Sequence, residues 1–330
     1  MADIRRISVI GAGVMGHGIA QAFAQQGYDV SLYDLREDLL DQAITKIESN
    51  LKTFIEAGLE TEHRLTDILS HIKGTTRLDS AVENADFVIE AVLEDPDLKR
   101  QVFKKIDQFT PEHAILASNT STLSISEFGA EVTKKDKLIM THWFNPPHIV
   151  PVVEVVAGKE TSEKTFQITF QLLEKIGKVP VKVLKEIPGF LVNRIQAAMV
   201  REALSLLEQK VVSAEDLDRA VRGSFGFRLG VVGVLETLDL AGLDLMVKAL
   251  GNLYKFLDNA LEPQGVLKEK VERGDLGIKT GRGFHSHERG DGPGKGERGI
   301  RERDRKLLEL IKTLQRKIEG CHLDNVAMKD

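Results

Sequence analysis

Apolar residues follow two different spacings along the chain, short continuous runs in the first half and helical spacing in the second. The runs at 6–10, 29–34, 87–90 and 114–117 have the length of buried strands, and the segment 97–109 between the last two has the period of a helix. Strands that are apolar on both faces are typical of parallel sheets covered by helices on both sides. The alternation therefore predicts an α/β domain with a doubly wound sheet.

Three further apolar runs extend this pattern, at 137–140, 150–156 and 177–184. The segment 36–73 is long, charged and helical in its period, which is more than a crossover between neighbouring strands needs. We interpret it as a helical insertion that either covers a ligand or shields the sheet.

The spacing changes at Pro188 and Gly189, beyond which apolar residues recur with the period of helices. We therefore expect a first domain over 1–187 and an all-α second domain over 188–285. Residues 286–330 begin with a stretch rich in glycine and charge, which predicts a flexible linker ahead of a C-terminal helix.

Composition and charge narrow the range of partners. The 330 residues include 45 Lys and Arg against 50 Asp and Glu, a formal net charge of −5, so neither nucleic acid nor an anionic membrane surface is favoured. Every long apolar stretch is broken by charge well short of the roughly 20 residues that span a membrane, and the first residues do not resemble a secretory signal. The single cysteine, Cys321, excludes an intramolecular disulfide, and no Cys and His cluster predicts a metal site. We expect a soluble, cytoplasmic protein.

A glycine-rich turn links the first predicted strand to a helix. It has the pattern Gly-x-Gly-x-x-Gly, and the second strand ends in an acid, Asp34, 18 residues after the last glycine. The first glycine permits the tight turn, the second lets the backbone approach a pyrophosphate, and the third lets the helix pack close to the strand. The pattern in this context predicts a dinucleotide site formed by Gly11, Gly13, Val14, Met15 and Gly16.

Asp34 indicates which dinucleotide binds. A carboxylate at this position accepts hydrogen bonds from ribose hydroxyls and repels a 2′-phosphate, which favours NAD over NADP. Arg36 is the one contrary feature, because a guanidinium can pair with that phosphate. Its simpler interpretation is an exposed residue at the start of a helix, and we predict NAD as the cofactor.

His142 and Glu154 stand in almost wholly apolar surroundings. Valines flank Glu154 on both sides, so an ionised carboxylate there costs several kcal/mol unless a partner meets it. Taken singly, the two residues could be a strand end and an exposed strand edge. If they pair, the carboxylate fixes the tautomer of the imidazole and leaves the other ring nitrogen free to accept a proton. We predict a general base with its orienting group.

At this point the chain resembles the L-3-hydroxyacyl-CoA dehydrogenase family, over nearly its whole length up to Phe284. The resemblance rests on five motifs in the same order and spacing. They are the Gly11 loop, the run Ser118-Asn119-Thr120-Ser121, His142 with Asn145 and Pro146, Val153-Glu154-Val155, and the run from Pro188 to Arg194.

The resemblance implies a Rossmann-like NAD domain, an α-helical second domain and a homodimer. It implies that His142 is the catalytic base and that Glu154 is its partner. Ser121 and Asn193 would contact the reacting oxygen of a short-chain L-3-hydroxyacyl-CoA. The nicotinamide side of the cofactor site would be lined by Glu94, Lys99, Ser121 and Asn145.

Two segments depart from the usual family pattern, 146–151 and 226–234. Both resemble a branch that includes L-gulonate 3-dehydrogenase, also known as lambda-crystallin, and other enzymes of small hydroxy acids. In that branch a basic residue at Arg228 would hold a free carboxylate. Arg228 could equally pack at a surface or interface. The alternatives to an acyl-CoA substrate are thus a small free hydroxy acid such as L-gulonate, or a non-catalytic NAD-binding relative.

Overall fold

The computed structural model describes residues 4–287 and 295–324. Its first compact unit ends at Asn193 and its second begins at Arg194. The strands of the described residues all lie in the first unit: β1 (Arg6–Ile10), β2 (Asp29–Tyr33), β3 (Ile72–Thr75), β4 (Phe87–Glu90), β5 (Ile115–Ser118), β6 (Leu138–Trp143), β7 (Val152–Ala157) and β8 (Val179–Val183).

Seven helices accompany these strands in the first unit. They are α1 (Gly16–Ala24), α2 (Glu37–Glu56), α3 (Glu62–Ser70), α4 (Leu78–Val82), α5 (Pro96–Phe109), α6 (Ile125–Phe128) and α7 (Glu163–Lys175), with a short 3-10 turn at Lys135–Lys137. Helices α2 and α3 occupy most of the segment 36–73.

The strands form one sheet in the order β3-β2-β1-β4-β5-β6-β7-β8. All neighbours are parallel except β6 and β7, which are antiparallel. Each face of the sheet packs against its own set of helices. Phe23 of α1, Leu51 of α2 and Phe166 of α7 belong to one buried cluster, whereas Phe103 of α5 and Phe128 of α6 belong to the other. The predicted doubly wound sheet is confirmed.

Strand β3 is a difference from the sequence-based prediction, which treats 36–73 as a helical insertion and expects no strand at 72–75. Only Ile72 of its four residues is buried, so β3 lacks the apolar run that marks the other strands. It pairs in parallel with β2 and stands first in the strand order, so it forms one edge of the sheet.

The second unit is helical, as predicted. Its helices are α8 (Val192–Glu208), which begins in the first unit, α9 (Ala214–Gly223), α10 (Phe225–Leu229), α11 (Val234–Ala241), α12 (Leu243–Leu253), α13 (Gly265–Glu272) and α14 (Lys295–Asp324), with a 3-10 turn at Tyr254–Phe256. Part of the predicted linker, 288–294, lies outside the described residues. Helix α14 begins at Lys295, so the end of the segment interpreted as a linker is helical.

Among the described residues, no helix is both long enough and apolar enough to cross a membrane.

Candidate active site

The glycine-rich turn between β1 and α1 is fixed by close backbone contacts. Gly11 has a φ of 104°, and a Cβ there would lie 2.6 Å from the carbonyl oxygen of Ala91. A Cβ on Gly16 would lie 1.7 Å from the carbonyl oxygen of Gly11. A Cβ on Gly13 would meet nothing within 4 Å. The fold itself therefore requires the first and third glycines, while the second leaves open space in front of the backbone, as a pyrophosphate would need.

Asp34 lies directly after β2 and is bonded to this turn. Its Oδ2 accepts a hydrogen bond from Ala12 N at 2.8 Å, and its Oδ1 accepts one from Leu35 N at 2.7 Å. Arg36 pairs with Asp38 at 3.0 Å, and both side chains are more than half exposed. The guanidinium is thus engaged at the start of α2, which agrees with the simpler interpretation of Arg36.

His142 and Glu154 face each other across the antiparallel pair of strands β6 and β7. The ring Nδ1 of His142 donates to Oε2 of Glu154 at 2.6 Å, and the side chains are 3% and 0% exposed. The other carboxylate oxygen accepts the backbone N–H groups of Leu191 and Val192, at 3.0 and 2.8 Å. Three N–H donors therefore compensate the burial of this carboxylate charge.

The turn after β8 delivers those two N–H groups. Gly189 has a φ of 75° and Phe190 a φ of 46°, which is unusual for a residue with a side chain. The Phe190 ring is buried and lies 5.4 Å from the His142 ring, while Phe144 contacts the same ring edge-on at 4.5 Å. Two aromatic side chains therefore wall the imidazole with apolar surface.

Ser121 occupies the free side of the His142 ring. Its Oγ lies 3.1 Å from Nε2 of His142. Since Nδ1 donates to Glu154, Nε2 is the acceptor of this hydrogen bond in the neutral ring. Nε2 is therefore the basic nitrogen.

The backbone around Ser121 is held by Glu94. One carboxylate oxygen of Glu94 accepts Thr120 Oγ1 at 2.6 Å, Ser121 N at 2.8 Å and Thr122 N at 2.9 Å. Partial burial alone would raise the pKa of Glu94, but these hydrogen bonds and the charge of Lys99 lower it to about 2. Glu94 is therefore ionised at neutral pH.

The remaining predicted site residues are distributed as follows. Lys99 is fully buried and binds Glu90 and Glu94. Asn145 is exposed just beyond β6, and Asn193 follows the two residues whose N–H groups bind Glu154. Arg228 is exposed on the short helix α10 in the second unit. The roles given to these residues stay predictions.

Glu90 and Asn119 also support the site, although the sequence pattern assigns no role to either residue. Glu90 is fully buried at the end of β4 and accepts Ser118 Oγ at 2.6 Å. Asn119 accepts Trp143 N at 2.9 Å through its side-chain oxygen, which ties the end of β5 to the residue after His142. A carboxylate within an apolar run is the signal that identifies Glu154, and Glu90, which ends the apolar run 87–89, carries a weaker form of it. Within the described residues, no group of three or more acidic, His or Cys side chains could hold a metal ion.

The comparisons with known proteins agree with this geometry. The model of the 3-hydroxyacyl-CoA dehydrogenase NAD binding domain matches residues 6–187, and that of the 3-hydroxyacyl-CoA dehydrogenase C-terminal domain matches residues 189–287. The chain is 37% identical over 286 residues to a 3-hydroxybutyryl-CoA dehydrogenase of Clostridioides difficile, covering 86% of this chain and 99% of the relative.

A second relative differs in the substrate that its name gives. It is the 5-formyl-3-hydroxy-2-methylpyridine 4-carboxylate 5-dehydrogenase of Mesorhizobium japonicum, 34% identical over 313 residues, with 94% of this chain and 99% of the relative covered. A crystal structure of an enzyme of that activity, described as an NAD⁺-dependent dismutase, has a TM-score of 0.85 at 33% identity and again covers 94% of this chain and 99% of the other.

Both halves of the chain thus match one family, and the residues around the glycine turn fit the dinucleotide that its first domain binds. The protein belongs to the 3-hydroxyacyl-CoA dehydrogenase family and is an NAD-dependent oxidoreductase.

Proposed function

We propose that the protein oxidises a secondary hydroxyl group to a ketone, with His142 as general base and Glu154 as its partner. This proposal depends mainly on two contacts of the His142 imidazole, with Glu154 at Nδ1 and with Ser121 at Nε2. Bound NAD supplies the redox step by accepting a hydride from the carbon that bears the hydroxyl.

The residues of the chain supply the proton transfer. Nε2 of His142 takes the hydroxyl proton, and the positive ring that results is stabilised by the Glu154 carboxylate. The Ser121 hydroxyl, released from Nε2 when substrate enters, is available to donate to the substrate oxygen. In the reverse direction the protonated ring returns the proton to the developing alkoxide, and Ser121 stabilises the charge on that oxygen.

The roles of the other site residues complete the proposal. Asn193 contacts the reacting oxygen from the start of α8. The nicotinamide side of the site is formed by Glu94 and Asn145, with Lys99 behind them. The pyrophosphate binds at the turn formed by Gly11, Gly13, Val14, Met15 and Gly16, and Asp34 accepts the ribose hydroxyls.

A short-chain L-3-hydroxyacyl-CoA is the first candidate substrate. It is supported by the match of both domain models and by the relative named as a 3-hydroxybutyryl-CoA dehydrogenase.

A small free hydroxy acid such as L-gulonate is the second candidate substrate. The alignment with the pyridine carboxylate dehydrogenase spans 313 residues, so it extends past residue 287, where the C-terminal family model ends. Arg228 could then bind a substrate carboxylate through two hydrogen bonds.

The test is NADH absorbance at neutral pH. Acetoacetyl-CoA is added with NADH in one arm, and L-gulonate with NAD in the other. Turnover in the first arm supports the acyl-CoA substrate, and turnover only in the second supports the free acid. Absence of turnover in both would favour a non-catalytic NAD-binding protein.

The variant His142→Gln tests the base. We expect its kcat to fall by at least ~10², the loss typical of a general base, while its Kd for NADH is retained. His113→Gln is the matched control, because His113 also pairs with a carboxylate, that of Asp86 at 3.0 Å, but at the amino-terminal edge of the sheet. Near-normal turnover of His142→Gln would refute the assignment.

We also propose that the protein is a homodimer formed through its second unit. That unit exposes large apolar side chains on several helices, including Leu235, Leu240, Val247 and Phe256, each more than 70% exposed. Helices with this much exposed apolar surface require another surface to cover them.

A further inference from the structure

We propose that Glu90 is a positioning residue that holds Ser121 against His142 through Lys99 and Glu94. The inference rests on the proposed roles of Ser121 and His142. It adds a residue to them that lies outside the cofactor and substrate contacts.

The first link is a fully buried ion pair. Lys99 Nζ lies 2.6 Å from Glu90 Oε1, and the two side chains are 1% and 0% exposed. Val92 N donates to the same oxygen at 2.7 Å, and Ser118 Oγ donates to the other at 2.6 Å. The position of the Glu90 carboxylate is thus determined from three sides. A buried pair of this kind adds little stability compared with apolar residues of the same volume, so its presence next to a proton-transfer site points to a different role.

The second link is Lys99 to Glu94. Lys99 Nζ lies 3.3 Å from Glu94 Oε2, while Oε1 of the same carboxylate accepts the donors of residues 120–122. The ammonium of Lys99 therefore holds the Glu94 carboxylate in the orientation that faces the loop. Without it, a carboxylate whose side chain is 36% exposed could turn toward solvent.

The third link is the contact between the loop 120–122 and the proposed base, His142. Ser121 N is held at 2.8 Å by Glu94, and Ser121 Oγ reaches His142 Nε2 at 3.1 Å. Because a displacement of about 1 Å at a reacting group is enough to lower a rate by roughly 10², loss of the Glu90 charge should be transmitted to the reaction.

The same helix offers a matched control. Lys99 lies in the first turn of α5 and Asp107 in its last turn, eight residues and about 12 Å further along. Asp107 also pairs with a buried lysine, Lys134, at 3.5 Å, and both of those side chains are 7% exposed. Asp107 and Lys134 make no contact with Ser121, Glu94 or His142 among the described hydrogen bonds and ion pairs. Asp107→Asn therefore removes a comparable buried charge away from the site.

The first experiment needs no substrate. Hydrogen exchange of the peptide 118–123 is compared in the full-length protein, Glu90→Gln and Asp107→Asn. We expect the amides of Ser121 and Thr122 to exchange at least ~10-fold faster in Glu90→Gln, as local opening becomes easier, and at an unchanged rate in Asp107→Asn. Equal exchange in Glu90→Gln and the parent protein would overturn the proposal, whatever the substrate proves to be.

The second experiment is a double-mutant cycle with acetoacetyl-CoA and NADH. Glu90→Gln should lower kcat at least ~10-fold in the parent background, yet lower it less than ~3-fold further when Ser121→Ala is already present. Asp107→Asn should leave kcat unchanged in both backgrounds. Additive losses, or an equal loss in Asp107→Asn, would contradict a positioning role. If Ser121→Ala alone leaves kcat unchanged, the proposed role of Ser121 fails, and the exchange experiment still reports on Glu90.

Discussion

The hydrogen-bond inventory of the Glu154 carboxylate determines which nitrogen of His142 is basic. Both oxygens of Glu154 accept N–H donors, and one of those donors is Nδ1 of His142. A carboxylate can only accept hydrogen bonds, so it enforces one tautomer of the ring. The availability of Nε2 as a proton acceptor therefore depends on Glu154 as well as on His142.

Glu154→Gln should abolish most of the activity while keeping the fold. Leu191 N and Val192 N require an acceptor, so the amide oxygen of the glutamine should face them and its NH₂ group should face His142. The ring then has to accept at Nδ1 and carry its proton on Nε2, where it cannot act as a base. We expect kcat to fall by at least ~10², as for other tautomer inversions. A far-UV spectrum and an NADH titration should be unaltered, and a variant with more than a tenth of the parent kcat would contradict this account.

Asp34 should make the protein selective for NADH over NADPH. Its carboxylate stands beside the turn that we propose as the pyrophosphate site, and it would repel a 2′-phosphate. We expect the Kd for NADPH to exceed that for NADH by at least ~10-fold, about 1.4 kcal/mol. The ratio of the two Kd values should be smaller in Asp34→Ser. Fluorescence titration with each cofactor measures both constants. Comparable Kd values in the parent protein would mean that Arg36 outweighs Asp34.

At the scale of elements, the strands with continuous apolar runs were predictable and the polar networks between them were not. Strands β1 and β4 have the predicted bounds, because both of their faces are buried. Strand β6 extends three residues beyond the predicted run, to Trp143, since Thr141 and His142 are buried despite being polar. The contact of Ser121 with His142 joins residues 21 positions apart, and no local pattern encodes that distance.

One of these networks joins β1 to β4. Asp86, just before β4, accepts the N–H groups of Arg5 and Arg6, each at 2.9 Å, and pairs with His113. Burial alone would raise the pKa of Asp86, but the Arg5 N–H, the His113 ring and the Arg6 donors lower it to about 2. Its charge therefore stabilises the folded state.

Asp86→Asn should destabilise the protein in a pH-dependent way. At pH 7 we expect a loss of about 1–3 kcal/mol in the free energy of unfolding, the cost of leaving buried donors poorly matched. The folded pKa lies below the ordinary value of 3.8, so the stabilisation is complete above pH 4 and declines as the pH falls toward 2. Urea unfolding at pH 7 and pH 3 should show the difference between parent and variant shrinking at the lower pH. If the difference in the free energy of unfolding between parent and variant stays constant or grows at pH 3, the charge of Asp86 is not its origin.

At the scale of the whole molecule, the two units differ in how they bury apolar surface. The first unit has two extensive buried clusters, one on each face of its sheet. In the second unit, Leu204 and Leu308 are the only large apolar side chains classed as buried among the residues whose side chains are described.

The proposed homodimer predicts the solution mass and its response to charge. The parent protein should sediment at twice the 36.6 kDa of one chain. Leu240→Asp combined with Val247→Asp should raise the dimer Kd by at least ~10², because two desolvated charges oppose association. Leu184→Asp is the control, since Leu184 is 86% exposed in the first unit. A parent protein that is monomeric at micromolar concentration would refute the dimer.

The pairing of His142 with Glu154 as directly opposed residues of neighbouring strands has an evolutionary consequence. A slip of one position along β7 would turn the acid to the opposite side of the sheet, so under the proposed role of His142 selection would act mainly on strand alignment. The connecting segment and the helical unit are then free to diverge in length and composition. Substrate preference can change among descendants of one ancestor while the machinery that moves the proton is inherited intact.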